Sequence, residues 1–281
     1  MAKYGLVIDI TRCDGCGSCL LAVKDEYVGN NYPGYSAPQP KEGQNWLNLV
    51  EVEQGHGSKV KMDYIPVMYK HNRNLKLPAG VPEGAMYVRE DGLTIIDPEK
   101  AKGCKAIVDN CKDGTIFWNE ELQLPQIYTL DAHRLDQGEK LPRCVESCPT
   151  QAMHWGDLED PNSDVSKFIA EHPDEIEDYM PEEGADYVVR YYKLPKPFIA
   201  GEVMVCDSDD CVKGAKVTLT CAKTGKTVET TTDFFGDFEF KYLVKGGKYT
   251  VKAEVPGYKA KEVTVDLDEA KNLGEIVLEK A

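Results

Sequence analysis

Two rhythms of apolar and polar residues divide the chain. From about Phe198 to the end, seven short segments alternate between the two kinds: GEVMVC, AKVTLTC, KTVETTT, DFEFKYL, KYTVKAEV, KEVTVDL and GEIVLEK. A period of two puts one row of side chains on a buried face, and the Gly, Pro and Asp between segments form turns. This spacing predicts an all-β sandwich over residues 198–281. The pattern upstream is mixed. YGLVIDI (Tyr4 to Ile10) has a strand's β-branched content, and SCLLAVKDEYV suits a helix. YVREDGLTIID sets Asp91-Gly92 between two alternating arms, a hairpin signature. DPEKA follows, with Asp97 as helix cap and Pro98 at the first helical position, predicting a short helix towards Cys111. Residues 1–160 therefore read as an α+β domain. The acidic, proline-punctuated stretch PNSDVSKFIAEHPDEIEDYMPEEG reads as a short helix with loops, an excursion and linker over 161–197.

Composition narrows the function. With 281 residues the chain has room for about two domains, each with its own core. A net charge of −15 argues against nucleic acid, whose binding needs a basic surface to displace counterions. No run of 18 apolar residues occurs, so no membrane insertion is expected. The start, MAKYGLVIDITRC, lacks a basic stretch followed by an apolar core and lacks a twin arginine, which predicts a cytoplasmic location. Ten cysteines in a reducing compartment point to metal or redox chemistry before disulfides. Seven of them lie between Cys13 and Cys148 and three between Cys206 and Cys221.

The chemistry concentrates in CDGCGSCLLAV, from Cys13 to Val23. One loop spaced CxxCxxC reaches three irons of a cubane, and the fourth thiolate arrives from another segment. In two-cluster ferredoxins the fourth cysteine of each run serves the neighbouring cluster and is commonly followed by proline. Val23 stands in that slot, so the completing ligand is sought in a distant Cys-Pro. Cys148-Pro149, in PRCVESCPTQAM, supplies it. The expected ligands of one [4Fe-4S] cluster are Cys13, Cys16, Cys19 and Cys148. A zinc site or plain thiols fit less well, because structural zinc favours paired CxxC knuckles.

With these motifs, the EDG…IDPEKAKG segment, the FWNEE stretch and PRCxxxCP, the chain resembles the iron–sulfur (beta) subunits of the molybdopterin (DMSO reductase) oxidoreductases. Within that group it looks most like the phenol-transhydroxylase branch, whose small subunit also carries a C-terminal β-sandwich. The resemblance implies a degenerate, ferredoxin-like 4Fe-4S dicluster fold for the first domain. It further implies a large catalytic partner bearing the molybdopterin cofactor, as a heterodimer or a multiple of one. The departures also carry meaning. Family members have a second cysteine cluster where this chain reads YIPVMYKHNRNLKLP, with no cysteine. Where the family has KCTxC, Tyr128 and Asp131 take the cysteine positions of IYTLDAH. With Val23 there as well, the neighbouring cluster would keep only Cys144, and none is expected: a phenol is a poor substitute for a soft thiolate.

Cys111 matches a lone family cysteine whose partners are missing, and Cys104 matches none. With Cys144 these are expected to be buried or ordinary thiols. Cys206, Cys211 and Cys221 sit at strand ends or beside a DSDD turn and read as reduced thiols, with a Cys206–Cys211 disulfide as the alternative. TGKT at 224–227 imitates a phosphate loop, but Thr220 stands where its first glycine belongs, so a hairpin turn is expected. The histidines His56, His71, His133, His154 and His172 show no metal-ligand spacing. GAKVTLT, TTDFFGDFEF and GGKYTVKAEVPGY give the sandwich a transthyretin-like or carboxypeptidase-regulatory, Ig-like character. The expected function is electron transfer beside the catalytic subunit. The alternative is a scaffold whose cluster chiefly stabilises the fold.

Overall fold

The computed structural model describes residues 2–57, 59–208 and 210–281; Asp209, in the DSDD turn, lies outside them. The chain forms two compact units. One runs to Glu51 and resumes over Asp63–Leu194, and the other joins Val52–Met62 to Pro195–Ala281.

The first unit opens with β1 (Tyr4–Asp9) and α1 (Ser18–Tyr27). A ribbon of β2 (Leu47–His56) and β3 (Lys59–Met68) follows, its tip counted with the second unit. Next come β4 (Met86–Val88), β5 (Thr94–Ile96), α2 (Ala106–Asp109), β6 (Phe117–Asn119) and β7 (Leu124–Gln126). The unit closes with α3 (Ala132–Asp136), α4 (Arg143–Glu146), β8 (Met153–Asp157), α5 (Asp164–Glu171), β9 (Ile176–Glu177) and β10 (Val189–Tyr192).

Its main sheet has the order β8-β1-β10-β9. Leu6, Val7 and Ile8 are all buried, which is why β1 reads as a continuous apolar run: it is central and covered on both faces. Val7 packs with Val165 and Ile176 on the side of α5. Ser163 starts that helix by accepting the Ser166 amide at 3.2 Å. The hairpin of β4 and β5 forms as expected, with Asp91 Oδ1 accepting the Leu93 amide and Gly92 at φ 92°.

Two expectations change. The stretch 161–197, read as an excursion and linker, supplies β9 and β10, and β10 runs parallel to β1 with Leu6 opposite Val189. A four-residue strand has too little pattern to announce itself, and its partner lies at the far end of the domain. Asp97 caps only a single turn, accepting the amides of Glu99 and Lys100, and the chain breaks at Gly103 (φ 78°) before α2 begins.

The second unit contains β11 (Ile199–Val205), β12 (Lys216–Cys221), β13 (Thr227–Thr231) and β14 (Asp237–Phe240). β15 (Gly247–Glu254), β16 (Lys261–Leu267) and β17 (Lys271–Leu278) complete it. The sheets β14-β11-β17 and β13-β12-β15-β16 enclose Val203, Val217, Val251, Leu267 and Leu278. Full burial of each such side chain stabilises by about 1.5–3 kcal/mol. The period-two rows are visible in β15, where Tyr249, Val251 and Ala253 face in. Among the described residues no helix is long and apolar enough to cross a membrane.

Candidate metal centre

β1 runs into the cysteine loop, and β8 begins just after Cys148-Pro149. Their antiparallel pairing sets Ile8 opposite Met153, and the Asp9 amide donates to the Ala152 carbonyl at 2.7 Å. The end of one strand thus lies beside the start of the other, and Cys148 is delivered to the loop of Cys13. Cys13, Cys16, Cys19 and Cys148 line one cavity, walled by Leu49, Pro66 and Met153. Its empty space is about 310 Å³, the part open to solvent included. The loop needs its glycines. Gly15 and Gly17 both have φ 73°, and a Cβ on Gly15 would stand 2.6 Å from the Tyr64 ring.

Burial pushes the Cys13 thiol up and the Cys19 thiol up to about 12, with the other thiols of the group pushing the same way. The amides of Gly15 and Leu20 oppose this. Four thiolates gathered here would repel one another, and cationic iron removes that repulsion. No group of three or more His, Cys, Asp or Glu among the described residues is set to hold a single metal ion. Four thiols from two distant segments round one cavity suit a cluster whose irons take one thiolate each. All ten cysteines are free thiols.

Packed side chains fill the positions to which the family resemblance would assign a neighbouring cluster. Val23, Tyr128, Asp131 and Cys144 are almost wholly buried. The Tyr128 hydroxyl donates to Asp131 Oδ2 at 2.7 Å, and the Arg143 amide donates to the same oxygen at 2.6 Å. Burial raises the Asp131 carboxyl, against the pull of the Arg143 amide and the tyrosine hydroxyls. Burial likewise holds the Cys144 thiol well up.

The later part of the stretch YIPVMYKHNRNLKLP, from Tyr69 onwards, helps line a second cavity together with Cys111. Its wall carries Lys70, 5% exposed. That ammonium pairs with Asp113 at 3.2 Å, donates to the carbonyls of Tyr179 and Met180 at 2.8 and 2.9 Å, and lies 4.3 Å from the centre of the Tyr187 ring. The Cys111 thiol donates to Asp113 Oδ1 at 3.1 Å, so it has a partner. Burial alone would raise Asp113, but Cys111, Thr115 and Lys70 together bring it below the usual carboxylate range. No motif points to Lys70; its one signal in the sequence is a charge inside the apolar run VMYKH. Cys104 packs against the apolar group around Ile107.

His71 is fully buried and accepts the Thr94 amide on Nδ1, and burial lowers it to about 3, so it stays neutral. His133 pairs with Glu26 at 3.0 Å and His154 with Asp164 at 2.9 Å. In the sandwich the Cys211 thiol donates to Glu202 at 2.7 Å. TGKT forms the turn after β12, where the Gly225 amide donates to the Cys221 carbonyl at 2.8 Å.

The 4Fe-4S dicluster domain family matches residues 60–158, and the carboxypeptidase regulatory-like domain family matches residues 199–279. The pyrogallol hydroxytransferase small subunit of Pelobacter acidigallici is 33% identical over 99% of this chain and 100% of its own length. An iron-sulfur subunit of Halobacterium salinarum, named for a putative dimethyl sulfoxide reductase, is 33% identical, over 66% of this chain and 77% of its own. A tetrathionate reductase subunit of Salmonella typhimurium is 31% identical, over 70% and 75%. Motif, fold and full-length likeness agree: the chain belongs to the iron–sulfur, electron-transfer subunits of the molybdopterin oxidoreductases, together with the pyrogallol hydroxytransferase small subunit.

Proposed function

We propose that this chain holds one [4Fe-4S] cluster on Cys13, Cys16, Cys19 and Cys148, beside a larger catalytic subunit that carries the molybdopterin cofactor. The first unit is a ferredoxin-like dicluster fold that keeps one of its cluster sites. The observation that carries this reading is the pairing of β1 with β8, which gathers these four thiols round one cavity. Such a cluster supplies one-electron transfer. The chain's own residues hold and shield it: Leu49, Pro66 and Met153 cover its inner side, while exposed Cys16 marks the side nearest solvent.

Thiolate arithmetic supports a single cluster. The first unit has seven cysteines, and two all-cysteine cubanes need eight. Tyr128 and Asp131, which the family resemblance places at cysteine positions, and Lys70, in the stretch that lacks the cysteines the resemblance implies, are already committed to buried partners. The chain is therefore a shortened relay. It exchanges electrons with the catalytic cofactor and does not pass them far, which suits hydroxyl transfer between phenols, a reaction without net redox change. The relative named for pyrogallol is consistent with a phenolic substrate on the partner.

Anaerobic purification of the complex tests this, with an expected yield of about four irons per chain; about twelve would overturn it. In Cys148→Ser the iron content and the visible absorption should fall together. An unaltered spectrum in that variant would remove Cys148 from the ligand set.

A further inference from the structure

The sulfur of Cys148 is solvated by the protein differently from the other three. The Ala152 amide donates to it at 3.3 Å, and Thr150 Oγ1 lies 3.5 Å away. The backbone that aims this amide is unusual. Gln151 has φ 54°, a left-handed conformation that a residue with a Cβ seldom adopts, and its own amide donates to the Cys148 carbonyl at 3.2 Å. The turn 148–152 thus closes round the sulfur, with Ala152 2% exposed. Cys13 and Cys19 face the backbone amides of Gly15 and Leu20, and Cys16 lies 3.4 Å from the Ser18 hydroxyl. Of the four thiols round this cavity, only Cys148 has both an amide and a hydroxyl at its sulfur.

A free thiol carries its own proton, but a ligand sulfur does not, so on iron binding the Thr150 hydroxyl turns its hydrogen towards sulfur. Reduction adds one electron, whose charge is shared by the ligand sulfurs, and a donor to sulfur stabilises the reduced form more than the oxidised one. We propose that Thr150 is a positioning residue that sets the potential of the cluster through its hydroxyl on Cys148. No bond in the chain forms or breaks; the electron arrives from the catalytic subunit's centre or from an added mediator. The proposal rests on the ligand set given above.

Potentiometric titration of the intact complex, read by the paramagnetic signal of the reduced cluster, decides it. Thr150→Val keeps the shape and removes the hydroxyl. At a fixed poise its ratio of reduced to oxidised cluster should fall about tenfold, a shift of about 59 mV to lower potential for a one-electron couple. Thr150→Ser should stay at the wild-type value. An unmoved potential in a fully iron-loaded Thr150→Val overturns the proposal. If that variant loses iron, Thr150→Ala takes its place under the same criterion. Loss of iron from both, with Thr150→Ser fully loaded, also overturns it, because the hydroxyl then holds the cluster without tuning it. Failure of the ligand set would appear separately, as full iron content in Cys148→Ser.

Discussion

Lys70 shows at the level of one residue how a charge is held inside the first unit. A buried charge is tolerated only when paired and hydrogen-bonded, and Lys70 meets that condition through Asp113 and two carbonyls. Lys70→Met leaves Asp113 without its cation and should destabilise the first unit by about 3–5 kcal/mol, with part recovered by adding Asp113→Asn. Urea unfolding followed by tryptophan fluorescence measures this cleanly, since Trp46, Trp118 and Trp155 all lie in the first unit. Asp131 makes the opposite prediction for pH. Its folded-state value is raised by burial, so the folded chain holds that proton more tightly than the unfolded chain does. Its contribution favours folding below the unfolded value and is lost as pH rises through the folded one. Asp131→Asn should therefore lessen the loss of stability as pH rises above the usual carboxylate range, read from urea midpoints at a series of pH values. A steeper loss in the variant would contradict this sign. Asp113, whose value is lowered, works the other way and loses its contribution as pH falls.

At the level of elements, β1, α1 and β8 bring the four thiols of the proposed metal centre round one cavity. Cys19, Val23 and Tyr27 form the buried stripe of α1, so the residue standing in the family's fourth-cysteine slot is part of a packed face. The Tyr27 hydroxyl lies 2.7 Å from Thr129 Oγ1, and its ring is edge-on to Tyr128 at 5.8 Å. Restoring a cysteine at position 23 alone should bring no second cluster, because Tyr128 and Asp131 fill the remaining ligand positions. Iron per chain in Val23→Cys should equal the wild-type value. Ile8 is fully buried opposite Met153 at the strand pair that delivers Cys148. Ile8→Ala should cost about 2–5 kcal/mol of first-unit stability. It should also lower iron retention on dilution into chelator, a loss not expected from a cavity in the sandwich such as Val251→Ala.

For the whole molecule, the chain joins a redox unit to a sandwich whose core is built separately. The electron-transfer reading and the scaffold reading separate during turnover. Freeze-quenched samples of the complex should show the cluster signal appearing and decaying within the catalytic cycle. Full activity with a silent cluster would instead assign it to holding β1 and β8 together, since the free energy of metal binding is also folding free energy.

The sequence by itself determined the seven strands of the sandwich, the hairpin at Asp91-Gly92, the helix after the cysteine loop and the three clustered thiols. Each is a local pattern, set by side-chain period, turn chemistry or spacing within a few residues. Cys148 was singled out in the sequence only by a rule about Cys-Pro; the pairing of β1 with β8 is what brings it to the cavity of Cys13, Cys16 and Cys19. Tertiary structure alone recruited 176–192 to the main sheet and placed the tip of the β2–β3 ribbon with the sandwich. It alone joined Lys70 to Asp113 and Tyr128 to Asp131, and turned the Ala152 amide onto a sulfur. Pairing of distant strands and solvation of buried charge depend on which segments meet after folding, and no local period records that.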